Sequence, residues 1–205
     1  EQCIQYGNIS QDIADFLTFI VPKEPSIVVS GGTNSGKTTQ LMRIPLFLDP
    51  MTRIITIEDS EEMMLAEKSQ YANYPNIVSL LSKELESEAK SYGTSKLVKA
   101  SMRLNPTYMI IGEIRDEEGA KQGVNAANTG HPLLTSTHAN NCRAAAIRLL
   151  QLSGNTTAVA SQIGDTIDLI ISQVRLKNGV RTVTEISELL GYEGTEKPIL
   201  NPIFK

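Results

Sequence analysis

Apolar residues in this 205-residue chain gather into short β-branched blocks, and most of the stretches between them carry helical spacing. The blocks at residues 27–30, 53–57, 76–80, 108–111 and 133–137 predict strands. Ser10-Gln11-Asp12 marks the start of a first helix, with Ile13, Phe16, Leu17 and Ile20 three or four residues apart. Pro22 and Pro25 end it. Strand and helix in alternation imply a parallel sheet with helices on its faces, an α/β fold. Near the end, residues 168–177 and 180–187 alternate apolar and polar positions around Asn178-Gly179. Asn-Gly between two such runs predicts a hairpin, so a mostly parallel core is expected to finish in an antiparallel ribbon. The charged span 83–99, with Glu84, Glu86, Glu88, Lys90 and Lys96, reads as a solvated helix or loop.

The first strand runs straight into a glycine-rich turn. Gly31, then Gly32, Thr33, Asn34 and Ser35, then Gly36-Lys37-Thr38 fit the spacing G-x-x-x-x-G-K-[ST], and a helix-like run over residues 40–48 leaves the turn. Such glycines let the backbone curl so that its N–H groups face phosphate oxygens, at the positive end of the following helix. Residues Gly32 to Thr39 are the expected cradle for a nucleoside triphosphate. Lys37 would reach its outer phosphates, and the Thr38 hydroxyl would hold Mg²⁺.

Two further strands end in acid. Residues 108–111 lead to Gly112-Glu113, where a carboxylate can hold Mg²⁺ through water or orient the attacking water; a solvated strand-end charge is the plainer alternative. Residues 54–57 empty into Glu58-Asp59-Ser60-Glu61-Glu62, of which at least one acid is expected at the same sheet edge as a base for water. The chain's two histidines, His131 and His138, bracket the strand at 133–137. They fit either packed, hydrogen-bonding residues or sensors of the terminal phosphate. Zinc would need further Cys or His ligands than these.

Composition narrows the field. With 23 acidic and 19 basic residues the net charge is −4, which supplies no broad basic field, so direct nucleic-acid binding is not expected. Cys3 and Cys142 have no metal spacing and suit a reducing compartment. No apolar run approaches the roughly 20 residues that cross a bilayer, and no signal sequence is expected. The chain starts at Glu1, which suggests that it begins partway into a longer polypeptide.

Taken in order, residues 31–38, Ile57-Glu58-Asp59-Ser60-Glu61-Glu62, Ile110-Ile111-Gly112-Glu113-Ile114-Arg115-Asp116 and residues 129–140 resemble the Walker A loop, Asp box, Walker B strand and His box of the secretion ATPase superfamily. These are the motors of type II and type IV secretion, type IV pili and related archaeal filaments. The closest likeness is to the tight-adherence pilus and conjugative type IV secretion branch. The resemblance implies a RecA-like P-loop NTPase core over residues 1–205, the carboxy-terminal ATPase domain of the family, with the amino-terminal domain missing. It implies ATP and Mg²⁺ as ligands, with Lys37 and Thr38 on phosphates and metal. Glu62 would be the base, with Glu58 in the same box, and Glu113 would support Mg²⁺ and water. His131 and His138 would couple nucleotide state to neighbouring subunits. A homohexamer is implied, working at the cytoplasmic face of the membrane on an inner-membrane platform protein. The missing domain normally supplies arginines to a neighbour's site; Arg103 and Arg115 are either interface charges or surface ion-pair partners. A small P-loop phosphotransferase would need a basic lid that is absent. A GTPase would match Asp116-Glu117-Glu118-Gly119 as D-x-x-G but lacks N-K-x-D. A nucleotide-binding assembly or regulatory module with little turnover is the non-enzymatic alternative.

Overall fold

Strand interiors that are apolar at every position need cover on both faces, and the fold provides it. A computed structural model of the chain describes residues 2–83 and 91–205. Its elements are α1 (Gln2–Gln5), α2 (Gln11–Ile20), β1 (Ile27–Ser30), α3 (Lys37–Leu41), β2 (Ile54–Glu58), β3 (Ile77–Leu81), α4 (Thr94–Ser101), β4 (Tyr108–Ile111), α5 (Glu117–Asn128), β5 (Leu133–Thr137), α6 (Cys142–Leu152), α7 (Thr157–Thr166), β6 (Leu169–Arg175), β7 (Arg181–Glu193) and β8 (Lys197–Phe204). The strands form one sheet in the order β3-β2-β4-β5-β1-β6-β7-β8. The first six of these pair in parallel, and β6-β7 and β7-β8 are antiparallel.

Alternate residues of each strand feed opposite cores. Val28, Ile57, Met109, Ile111 and Ile170 join one cluster with Val124, Leu149 and Ile163 of the helices on that face. Ile27, Val29, Ile54, Ile110 and Ile171 join the other, with Ile13 and Leu17 of α2 and Leu41 of α3. Burial of this kind, at about 25 cal/mol per Å² of apolar surface, is the main stabilising term. Ser10 caps α2 as its sequence position suggests, its hydroxyl accepting from the Ile13 N–H at 3.2 Å.

The α/β class, the mostly parallel sheet and the terminal hairpin are all present, and every strand read from the pattern lies within a residue or two of its expected start. Three details differ. The helix expected over 40–48 begins at Lys37 and stops at Leu41; Pro45 then holds Ile44–Phe47 in a 3-10 turn. In the charged span, α4 is not wholly solvated, since Val98 and Ser101 are buried; residues 84–90 of that span lie outside the described residues. The ribbon gains a third strand, β8, hidden from sequence reading by Pro198 and Pro202, which argue against a strand interior.

Parallel pairing brings the carboxyl ends of β1, β2, β4, β5 and β6 to one edge of the sheet. Two bonds brace the opposite edge. Tyr108 donates from its hydroxyl to the Pro25 carbonyl at 2.7 Å, and the Asp168 carboxylate accepts from the Ser26 N–H at 2.7 Å. Tyr108 is fully buried, and burial pushes its phenol pKa upward. Tyr108→Phe would leave the Pro25 carbonyl unpaired. It is expected to lower stability by about 1–2 kcal/mol, seen as a lower urea midpoint with an unchanged slope.

Candidate nucleotide site

The turn between β1 and α3 is shaped by what its glycines avoid. A Cβ on Gly31 would collide with the Ser35 hydroxyl and the Gln173 carbonyl. Gly36 takes φ +94°, a left-handed conformation that suits glycine, and stands as N-cap of α3 without a side-chain acceptor. The first amides of α3 are therefore left for an external acceptor. Thr33, Asn34, Lys37 and Thr38 line a cleft there; Gly32 lines the cavity beside it. Ser35 is buried under the turn, and Thr39 is half-buried in the first turn of α3.

Across the cleft stand the acids. β5 lies between β1 and β4, so Glu113 is displaced from the loop by two strand spacings, about 10 Å of sheet. That gap is where Lys37 and His138 meet it. Lys37 Nζ donates to the Gly31 and Gly32 carbonyls at 3.1 and 3.3 Å and lies 3.4 Å from His138 Nδ1. An ammonium can only donate, so in a hydrogen bond between the two Nδ1 is the acceptor. Nε2 lies 2.8 Å from Glu113 Oε1. The other oxygen, Oε2, accepts from Arg115 Nε at 2.6 Å. Burial pushes the Lys37 pKa down; Glu113 pulls it back up, Arg115 lowers it, and Glu62 raises it.

The Asp box splits into two jobs. Glu58 is buried, and its carboxylate accepts three backbone N–H groups, from Glu62 (3.2 Å), Met63 (2.6 Å) and Met64 (3.1 Å). It is a brace for the turn that follows, with both oxygens engaged. Glu62 is exposed at the cleft mouth, where Oε2 accepts from the Thr38 hydroxyl at 3.2 Å and Oε1 from Ser60 at 3.3 Å. Glu61 is exposed beside it.

Of the two histidines, only His138 reaches the cleft. His131 precedes β5 at its amino end, seven residues before His138, with the whole strand, about 17 Å long, between them. The structure thus places His138, and not His131, among the residues lining the cleft. The D-x-x-G match is a helix cap: Asp116 caps α5 by accepting from the Gly119 N–H at 2.7 Å. Arg103 lies exposed after α4, whereas Arg115 lines the cleft.

Sequence reasoning passed over Ser136, which lines the cleft and donates to the Gly112 carbonyl at 2.7 Å. Its place two residues before His138, on the same side of an extended chain, was the available signal. It also passed over Gln173 and Arg181, which touch the loop from β6 and β7.

Thr38 and Glu62 offer hard oxygen donors, and among the described residues no group of three or more His, Cys, Asp or Glu side chains could cage a metal alone. The oxygen donors of Thr38 and Glu62 are of the kind that Mg²⁺ takes alongside phosphate and water.

The chain is similar to known proteins in sequence and fold. Residues 2–188 match the family model of the type II/IV secretion system protein. The chain is 31% identical over 206 residues to the uncharacterized protein MJ1287 of Methanocaldococcus jannaschii, covering 98% of this chain and 73% of that protein. It is 36% identical over 173 residues to the conjugal transfer protein TrbB of Rhizobium radiobacter, covering 82% of this chain and 49% of that one. The VirB11 ATPase of the Brucella suis type IV secretion system, solved in complex with sulphate, superposes with a TM-score of 0.73 at 28% identity, over 86% of this chain and 52% of that one. The chain thus spans about half the length of the latter two relatives. No helix among the described residues is long and apolar enough to cross a membrane. With its RecA-like ATPase fold, the chain belongs to the type II/IV secretion system protein family, the secretion ATPases, on the conjugative type IV secretion side.

Proposed function

We propose that this chain is the ATP-hydrolysing domain of a motor for type IV secretion, conjugation or pilus assembly. One observation carries the reading: the loop lysine, the His138 ring and the Glu113 carboxylate form a continuous chain of contacts at 3.4 and 2.8 Å, with Thr38 and Glu62 paired beside it. A buried cation facing a polar cleft suits a triphosphate, and the half-desolvated ammonium favours an incoming anion over water. The sulphate bound to the Brucella suis relative has the tetrahedral oxyanion shape of a phosphate.

In this mechanism Lys37 and the loop amides hold the outer phosphates of ATP. Thr38 would hold Mg²⁺ directly and Glu113 through water; when bound, the ion neutralises charge gathering on the phosphate oxygens. Glu62, at the cleft mouth beside Thr38, takes the proton of the attacking water. Glu58 keeps Glu62 in place through the three amides of the turn. His138 passes the approach of the terminal phosphate from Lys37 to Glu113, whose Arg115 partner fixes the resting carboxylate. Hydrolysis in a ring of six copies would move domains against one another at the cytoplasmic face of a membrane platform. Arginines supplied by neighbouring copies would complete each site, where such a group contributes about 10³–10⁵ in rate in other nucleotide hydrolases.

Lys37→Ala is expected to weaken ATP binding about 10- to 100-fold and to reduce hydrolysis to background in a phosphate-release assay; normal turnover would remove the site assignment. Glu62→Gln should lower kcat by about 10²–10⁴ while leaving the KM for ATP within a few-fold. The same assay distinguishes this from a non-hydrolysing module, for which Glu62→Gln would change nothing. Mass measurement in solution with a non-hydrolysable ATP analogue should show six copies, whereas a monomer at all concentrations would remove the ring.

A further inference from the structure

A peptide unit is planar and trans, so the C=O of one residue and the N–H of the next point in opposite directions. A loop that turns its N–H groups inward to a phosphate must turn carbonyls outward, and each buried one needs a donor. Lys37 serves Gly31 and Gly32. Two further carbonyls, those of Asn34 and Ser35, are met from outside the loop. The Asn34 carbonyl accepts from Arg181 Nε at 2.9 Å. The Ser35 carbonyl accepts from Gln173 Nε2.

Gln173 is built into this place. It is 1% exposed, at the end of β6 next to β1, where the β6–β7 register shifts between Ser172 and Gln173. Its side chain lies directly beneath Gly36, where a Cβ would come within 2.7 Å of Nε2. Its orientation is set from the other end. Gln40, 4% exposed, donates from Nε2 to Gln173 Oε1 at 2.6 Å and to Asn8 Oδ1 at 2.8 Å. With Oε1 taken by a donor, the amide has to present its N–H to Ser35.

We propose that Gln173 is a positioning residue for nucleotide binding: by holding the Ser35 carbonyl it aims the Gly36 N–H into the phosphate cradle, with Gln40 fixing its amide. This rests on the nucleotide reading above and adds a residue from the carboxy-terminal ribbon to the loop. Gln173 does not touch the reacting atoms, so its loss acts on affinity before rate.

The test uses the whole chain, a fluorescent ATP analogue for Kd, and steady-state hydrolysis. Gln173→Leu should weaken binding about 5- to 30-fold and raise the KM for ATP by a similar factor, with kcat within about threefold. Gln173→Glu keeps the size and the acceptor for Gln40 but sets a carboxylate oxygen against the Ser35 carbonyl. Burial raises a carboxyl pKa, so on acidification its O–H becomes the missing donor. Binding by Gln173→Glu, taken relative to the wild type at each pH, should therefore recover between about pH 8 and pH 5.5. A purely structural role would give no such recovery. Should Gln173→Leu fold poorly, the Gln173→Glu profile decides alone. A wild-type chain that binds the analogue beside a Gln173→Leu that binds equally well would overturn this inference alone, as would a flat Gln173→Glu profile. A wild-type chain that binds no nucleotide would sink the nucleotide reading, and this inference with it.

Discussion

The shared direction of β1, β2, β4, β5 and β6 is the constraint on which everything functional here depends. A parallel sheet delivers every strand's carboxyl end to one side, so residues far apart in sequence become neighbours without any long-range side-chain bond to bring them there. Register then sets the depth. Ser30 pairs with Thr137 and Ser172, so the phosphate loop, His138 and Gln173 all begin one residue beyond the same level. A slip of one residue in any of these strands would turn its tip residue to the other face and empty the cleft of that group.

Within that frame the cleft is an electrostatic compromise. Burial alone makes the Lys37 ammonium costly, and two loop carbonyls, Glu113 and Glu62 offset the cost without closing a tight ion pair. The cation is stable enough to fold and still lacks a full counter-charge. Glu113 is held by Arg115 through one oxygen, with His138 close to the other, and is 13% exposed. Charge on the loop side is thus left open to a ligand, while the acid side is held in readiness by neighbours.

Much of this was legible in the sequence because it is local. The strand-turn-helix setting of Gly31 to Thr38, the Asn178-Gly179 turn and the Ser10 cap are each decided by residues within a few positions of one another. What escaped was decided at a distance. The acids of residues 58–62 look alike in sequence; only the turn geometry makes Glu58 a brace and sets Glu62 at the cleft mouth against Thr38. Gln173 and Arg181 act on the loop across more than 130 residues of chain. A polar residue in a terminal hairpin gives no local sign of such a task.

The outermost strand has a consequence of its own. Among the described residues β8 forms one border of the sheet, pairing through Leu200 and Asn201 with β7, and it carries two prolines. A border strand ordinarily offers a row of free amides on which a stranger's backbone can zip up. Pro198 and Pro202 delete donors from that row, and Ile199 and Ile203, the residue after each, are left exposed. Growth of the sheet by stacking molecule upon molecule is therefore blunted at this margin.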